Sequence, residues 1–184
     1  MVIRKEIIPI KKNTFPGYKR YVTFGAVIHN GGLPGVPARN YIIYLTSDTY
    51  AAYASYHAMM DFDATIYQLI PWDYRAFCSG SHNYTKLGKT LFRSNASAYT
   101  VDLEVATKEG LRFTDKQIDQ CAEWAAMMGL RYGWLPSRRT FRHFDIAADK
   151  PQCPDYLIRN QDQWELLLMK ADKYYYKMLE DVMP

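Results

Sequence analysis

The chain has 184 residues, 48% hydrophobic and 23% charged, which is the length of one domain with apolar material for one core. Its formal charge of +4 comes from scattered lysines and arginines, in clusters no longer than a pair such as Lys11-Lys12; this excludes the basic stripe of a nucleic-acid binder. Three cysteines exclude a disulfide framework, and no run of roughly 18 apolar residues is present to span a membrane.

The opening Met-Val-Ile-Arg-Lys-Glu lacks the apolar stretch of a signal peptide, so the chain is expected to be made and kept in a cytoplasm. Residues 2–10 alternate loosely and predict an edge strand, and residues 13–17, with Pro16-Gly17, predict a turn. Residues 21–28 form a continuous β-rich apolar run, as expected of a buried central strand that ends at His29-Asn30-Gly31-Gly32. Pro37 can open a short helix over residues 38–46. Residues 55–60 and 65–70 flank Asp61-Phe62-Asp63-Ala64 and predict a hairpin.

The polar segment 79–95, with Gly80 and Gly88, reads as a long loop, and the alternating residues 99–106 as another strand. The clearest helix covers residues 115–132. Thr114 and Gln117 have capping-box spacing, and Ile118, Cys121, Ala122, Ala125 and Met128 make one apolar face that ends near Gly129 or Gly133. A last helix over residues 161–179 carries the stripe Trp164, Leu167, Leu168, Ala171 and Tyr175, which predicts docking onto the domain. Strands interleaved with helices predict an α/β fold, a central mixed sheet flanked by helices, with a site beyond the strand ends.

His29 stands at the exit of the apolar strand. Far along the chain, His143 and Cys153 lie ten residues apart in Arg142-His143-Phe144-Asp145-Ile146-Ala147-Ala148-Asp149-Lys150-Pro151-Gln152-Cys153-Pro154, across a segment long enough to fold back on itself. Imidazole and thiolate both suit zinc, and three such ligands leave a tetrahedral ion one position for water. The spacing is not that of a generic zinc motif.

In order along the chain, Ala26-Val27-Ile28-His29-Asn30, Tyr56-His57 with Ile66-Tyr67-Gln68-Leu69-Ile70-Pro71, Val101-Asp102-Leu103-Glu104-Val105, and the His143 segment with Cys153-Pro154 resemble the zinc-dependent N-acetylmuramoyl-L-alanine amidases. This is the family of the peptidoglycan recognition proteins and the phage lysozyme-amidases, and the likeness runs from about residue 20 to 170. It implies one amidase catalytic domain over residues 1–184, with a mixed sheet flanked by helices. It also implies one Zn²⁺ on His29, His143 and Cys153, with cysteine as the phage-type third ligand. The implied partner is bacterial peptidoglycan, glycan strand plus stem peptide, cut between N-acetylmuramic acid and L-alanine by a phage endolysin that waits in the host cytoplasm before lysis; a monomer is expected, though the sequence itself does not fix the oligomeric state.

The same resemblance implies Tyr56 as a donor to the oxyanion and Glu104 as the proton-transfer group, with Asp102 sharing its strand face and His57 structural. Two departures stand out. Relatives often carry a lysine or histidine two residues before the third ligand, where this chain has Pro151; Lys150 is the expected substitute. Ala76-Phe77-Cys78-Ser79-Gly80 stands where many relatives have a Trp-His pair, so Cys78 is expected to be a passive thiol at the cleft. Tyr84, Lys86, Lys89 and Arg93 are expected to wall the substrate groove. The competing readings are a peptidoglycan-binding module of the same fold that does not cut, and a Cys-His hydrolase with Cys153 as nucleophile.

Overall fold

The computed structural model describes residues 1–182, so the last two residues of the expected domain lie outside the described residues. Six strands form one mixed sheet: β1 (Ile3–Lys5), β2 (Gly25–Asn30), β3 (Ala58–Met60), β4 (Ile66–Gln68), β5 (Thr100–Val105) and β6 (Thr140–Arg142). Their order is β1-β4-β3-β5-β2-β6. β5 and β6 run parallel to β2 on its two sides, β3 runs parallel to β5, and the β3–β4 hairpin is antiparallel. The helices are α1 (Ala38–Thr46), α2 (Lys86–Phe92), α3 (Asp115–Tyr132), α4 (Pro136–Arg139), α5 (His143–Ile146), α6 (Asp155–Arg159) and α7 (Gln161–Val182). Among the described residues, no helix is long and apolar enough to cross a membrane.

Side-chain alternation sorts the sheet into two faces. Ala26, Ile28, Val101, Leu103 and Val105 pack under α3 and α7, against Ile118, Cys121, Trp124, Met128, Trp164 and Leu167. Val27, His29, Asp102 and Glu104 therefore belong to the other face, over which α1, α2, α5 and the long loops lie. The predicted continuous apolar run was the signature of a strand covered on both sides. It is shorter than expected: β2 starts at Gly25, Tyr21 is fully exposed, and His29 lies inside the strand rather than after it.

α3 matches its predicted span. Thr114 Oγ1 accepts from the Gln117 amide (3.2 Å), Gln117 Oε1 accepts from the Thr114 amide (3.0 Å), and Gly133 closes the helix in the left-handed region (φ 74°). Gln117 Nε2 also donates to Ala106 O (2.7 Å) and Asp61 O (3.1 Å), fastening the helix to the strand ends. α7 buries Trp164, Leu167 and Ala171 as its stripe predicts.

The segment 79–95 departs from expectation, because α2 forms within it. Thr85 caps the helix through Gly88 N (3.0 Å) and donates its hydroxyl to Asp145 O (2.7 Å). Gly88 makes the close approach possible: a Cβ there would meet Ile146 O at 2.1 Å. Gly88→Ala gains about 1 kcal/mol of helix propensity, but it drives backbone into backbone. We expect a net loss of about 2 kcal/mol and a melting temperature lower by about 4–8 °C in a thermal scan. An unchanged melting temperature would mean that α2 is not seated on α5.

Candidate metal centre and cleft

The site lies at the carboxyl ends of the parallel strands β2 and β5, where the fold rule places it. His29 pairs in register with Glu104 across these strands, and Val27 with Asp102, so one imidazole and two carboxylates emerge on one face. His29 is buried, and its Nε2 sits 3.4 Å from Asp102 Oδ1. That contact turns the other ring nitrogen outward, 3.6 Å from Cys153 Sγ. Burial opposes ionisation of Asp102, but the His29 and His57 rings beside it outweigh burial and hold the carboxyl well below its usual range. Ser79 Oγ and Thr100 Oγ1 also donate to it.

His57, expected to be structural, lies beside Asp102, with Nδ1 3.1 Å from Oδ2. It is fully buried between Tyr74 O (2.8 Å from Nε2) and the Asp102 amide (3.0 Å from Nδ1).

The second half of the centre comes from the segment after β6. Arg142 holds the Asp145 carboxylate (Nη2 to Oδ1 2.8 Å) and reaches Leu157 O and Gln161 Oε1, which fixes the first turn of α5 with His143 at its start. The Phe144 amide then donates to Cys153 O (2.7 Å), and the Asp155 amide donates to Asn30 Oδ1 (2.9 Å). These two bonds stitch the returning chain to α5 and to the end of β2. The imidazoles of His29 and His143 meet edge to face at 4.7 Å between centroids.

One ligand atom from each of His29, His143 and Cys153 lies within 4.8 Å of the others. Ligands about 2.0–2.3 Å from one tetrahedral ion stand about 3.5 Å apart, close to the 3.6 Å between His29 Nδ1 and Cys153 Sγ. His143 Nε2 is buried without a partner, and burial together with the neighbouring His29 lowers the pKa of His143 to about 3, so it offers a lone pair. The donor set thus fits a divalent ion. A second cluster, His29, Cys78 and Asp102, fits less well. Its carboxylate is already taken by Ser79 and Thr100, and burial pushes the Cys78 thiol up, leaving it a donor to Glu104 (3.6 Å).

The cleft over this centre has a volume of about 650 Å³ and is lined by His29, Glu104, His143, Cys153, Lys150 and Cys78, among others. Burial raises the Glu104 carboxyl to about 7, and its Oε2 has no partner. Lys150 is exposed at the rim.

Tyr56 is buried with an unpartnered hydroxyl whose ionisation is disfavoured first by burial and next by Glu104. It lines the adjoining tyrosine-rich cavity with Tyr41, Tyr44 and Tyr50, not the cleft itself.

The groove-wall expectations need correction. Tyr84 is a core residue whose hydroxyl donates to Ser79 O and accepts from the Ala96 amide. Lys86, Lys89 and Arg93 lie on or just after α2 and do not line the cleft; Gly80, Ser81, His82, Ser94 and Asn95 of the same segment do. Tyr53 and Phe77, stacked edge to face at 5.8 Å, form another wall that sequence reading missed. The crowding of tyrosines over residues 50–56 was the available signal.

No curated protein matches the chain. Among solved structures it is similar to the catalytic domain of PlyG (18% identity, TM-score 0.71, 95% of this chain and 96% of that one). It is also similar to a mutant endolysin from Bacillus subtilis (20%, 0.70, 93% and 99%) and to the hydrolase AmiA of Staphylococcus aureus in complex with its ligand (16%, 0.69, 100% and 88%). At these identities the likeness establishes the shared fold. The sequence profile described as N-acetylmuramoyl-L-alanine amidase covers residues 21–156, a span that holds every strand but β1 together with His29, Glu104, His143 and Cys153, and so the chain belongs to the N-acetylmuramoyl-L-alanine amidase family.

Proposed function

We propose that this protein hydrolyses the amide bond between N-acetylmuramic acid and the L-alanine of the stem peptide, as a zinc-dependent endolysin of phage type. The observation that carries this reading is the convergence of His29, His143 and Cys153 within 4.8 Å at the floor of an open cleft that also presents Glu104. The ion would be held by those three residues, where zinc supplies Lewis-acid polarisation of the scissile carbonyl and activation of water.

The chain's own groups do the rest. Asp102 holds the His29 ring in place, and Asn30 and the Phe144 amide hold the Cys153 loop. Glu104 takes a proton from the attacking water and delivers it to the departing alanine nitrogen. Its carboxyl, raised to about 7, is poised for both transfers near neutral pH. Lys150 at the rim faces the developing oxyanion or a stem-peptide carboxylate, in place of the residue that Pro151 cannot supply. The phage-type reading is supported by the likeness of fold to an endolysin and by cysteine as third ligand.

The deciding experiment is metal analysis of the purified chain beside mass spectrometry of digested walls. One zinc per chain and muropeptides with a new N-terminal alanine are expected; zinc without cleavage would leave a binding module.

The proposed oxyanion contact is Tyr56, whose buried hydroxyl has no partner and feels the Glu104 carboxylate. Tyr56→Phe is expected to keep zinc and fold while turnover falls about 10²-fold. A variant with full activity would end that assignment.

A further inference from the structure

At the opposite rim of the sheet, before the first residues of β2 and β5, lies a cleft of about 200 Å³ lined by Tyr18, Lys19, Arg20, Tyr21, Arg75 and Tyr99, with Val22 and Ala98. Its walls are built. Residues 18–20 and 73–75 form a short antiparallel ladder, with Lys19 bridged to Tyr74, the Arg20 amide donating to Asp73 O (2.7 Å) and the Arg75 amide to Tyr18 O (2.8 Å). Lys19, Arg20 and Arg75 all line this one hollow, with no carboxylate among its lining residues, while the Arg20 charge is also felt by the Asp102 and Asp73 carboxylates behind it. The nearest acid along this ladder, Asp73, is already engaged by Arg131 Nη2 (2.6 Å) and the Tyr132 hydroxyl (3.2 Å).

The guanidinium donors are also underused. Arg20 gives one Nη to Trp72 O, but its Nε and Nη1, and the Nε of Arg75, are buried without an acceptor. Buried donors of charged groups are costly to leave unpaired, and like charges held together cost more. An anion in the hollow would offset the charge that Asp73 and Asp102 leave on this cluster. Tyr21 is fully exposed and Tyr18 is 65% exposed, so the hollow has a flat aromatic rim that suits the C–H face of a polyol or sugar.

We propose that this cleft is a second binding site, distinct from the catalytic cleft, for the phosphate groups of a polyol-phosphate polymer attached to the cell wall. A guanidinium pair matches tetrahedral phosphate oxygens through forked, charge-assisted bonds. The cations are gathered in one hollow rather than strung along a stripe, which favours a polymer contacted at one or two phosphates over a nucleic acid, where many phosphates are neutralised at once. The choice of a wall polymer rests on the amidase reading above; the phosphate chemistry does not. Such a contact holds the enzyme on its insoluble substrate from the face that leaves the catalytic cleft free.

The test uses calorimetric titration of the full chain with a synthetic glycerol-phosphate oligomer, with inorganic phosphate as a separate titrant and a DNA oligomer of equal charge as control. Hydrolysis of a small soluble muropeptide is measured on the same samples. The oligomer is expected to bind at low salt, more tightly than inorganic phosphate, and to weaken as salt rises. Arg75→Gln and, separately, the exposed Lys19→Glu are expected to weaken it about tenfold or more, and Lys19→Glu to leave muropeptide hydrolysis unchanged.

Wild-type affinity in Lys19→Glu, or no heat with the oligomer, overturns the proposal. Equal binding of oligomer and free phosphate reduces the site to a phosphate-ion site and overturns the polymer claim, and tighter binding of DNA overturns it in favour of nucleic acid. Loss of muropeptide hydrolysis in the wild type would count against the amidase reading and not against this site.

Discussion

Cys153→Ser is expected to abolish zinc retention and to lower hydrolysis at least ~10³-fold while the fold survives. The thiol is partly exposed, and its one side-chain polar contact is His29 Nδ1 at 3.6 Å, so its removal opens no cavity in the core. Its loss is felt by the ion: a serine hydroxyl is a poor substitute for a thiolate, and the Lewis acid accounts for several kcal/mol of barrier, each ~1.4 kcal/mol being tenfold in rate. A readout independent of activity comes from linkage, because an ion that binds only the folded chain raises its melting temperature. Zinc should therefore raise the melting temperature of the wild type and leave Cys153→Ser unmoved, the two metal-free proteins melting within a few degrees of each other. The same samples separate the zinc reading from a thiol nucleophile. Both mechanisms lose activity in the serine variant, but only the zinc enzyme is silenced by a chelator and restored by added zinc. A chelated wild type working at full rate would dismiss the metal centre.

What could be read in the sequence followed the reach of local rules. The capping box of α3, the Pro37 start of α1 and the hairpin around Asp61–Ala64 are local, and the structure has them where they were expected. α2 was hidden because Gly88 and a polar flank lower its propensity. The helix exists because Thr85 caps it and α5 receives the bare Cα of Gly88. β6, three residues long, offers no period to read. The cluster of His29, His143 and Cys153 was reached through resemblance rather than spacing, since a separation of 124 residues between His29 and Cys153 carries no local signal. The bonds that close that distance, Asp155 amide to Asn30 and Phe144 amide to Cys153, join a backbone amide to a side chain or a carbonyl, and such pairs leave little trace in residue types. The groove wall failed for a related reason. Tyr84 reads as a polar-loop tyrosine, but its ring fills a core pocket and its hydroxyl bonds two backbone groups there, Ser79 O and the Ala96 amide.

Glu104→Gln should pull activity and stability in opposite directions. As the proton-transfer group its loss costs about 10²–10⁴-fold in turnover, with zinc content retained. Yet its carboxyl carries a folding penalty in the metal-free chain, because burial raises it from 4.5 to about 7. Below about pH 4.5 the carboxyl is protonated in both the folded and unfolded chains and costs nothing. Between about 4.5 and 7 the unfolded chain ionises first, so stability falls as pH rises, and above about 7 the full penalty remains. At ~1.4 kcal/mol per unit the shift bounds that penalty near ~3 kcal/mol, and the side of the carboxylate that faces the cleft brings it to ~2 kcal/mol. Glutamine has the same shape and no charge. The metal-free variant should then melt with the wild type near pH 4.5 and about 4–8 °C above it at pH 8. Slow turnover without that gain would make Glu104 a packing residue whose amide disturbs the cleft. Gain without slow turnover would place the proton transfer elsewhere. Both together identify a carboxylate kept at the fold's expense because the reaction uses its charge.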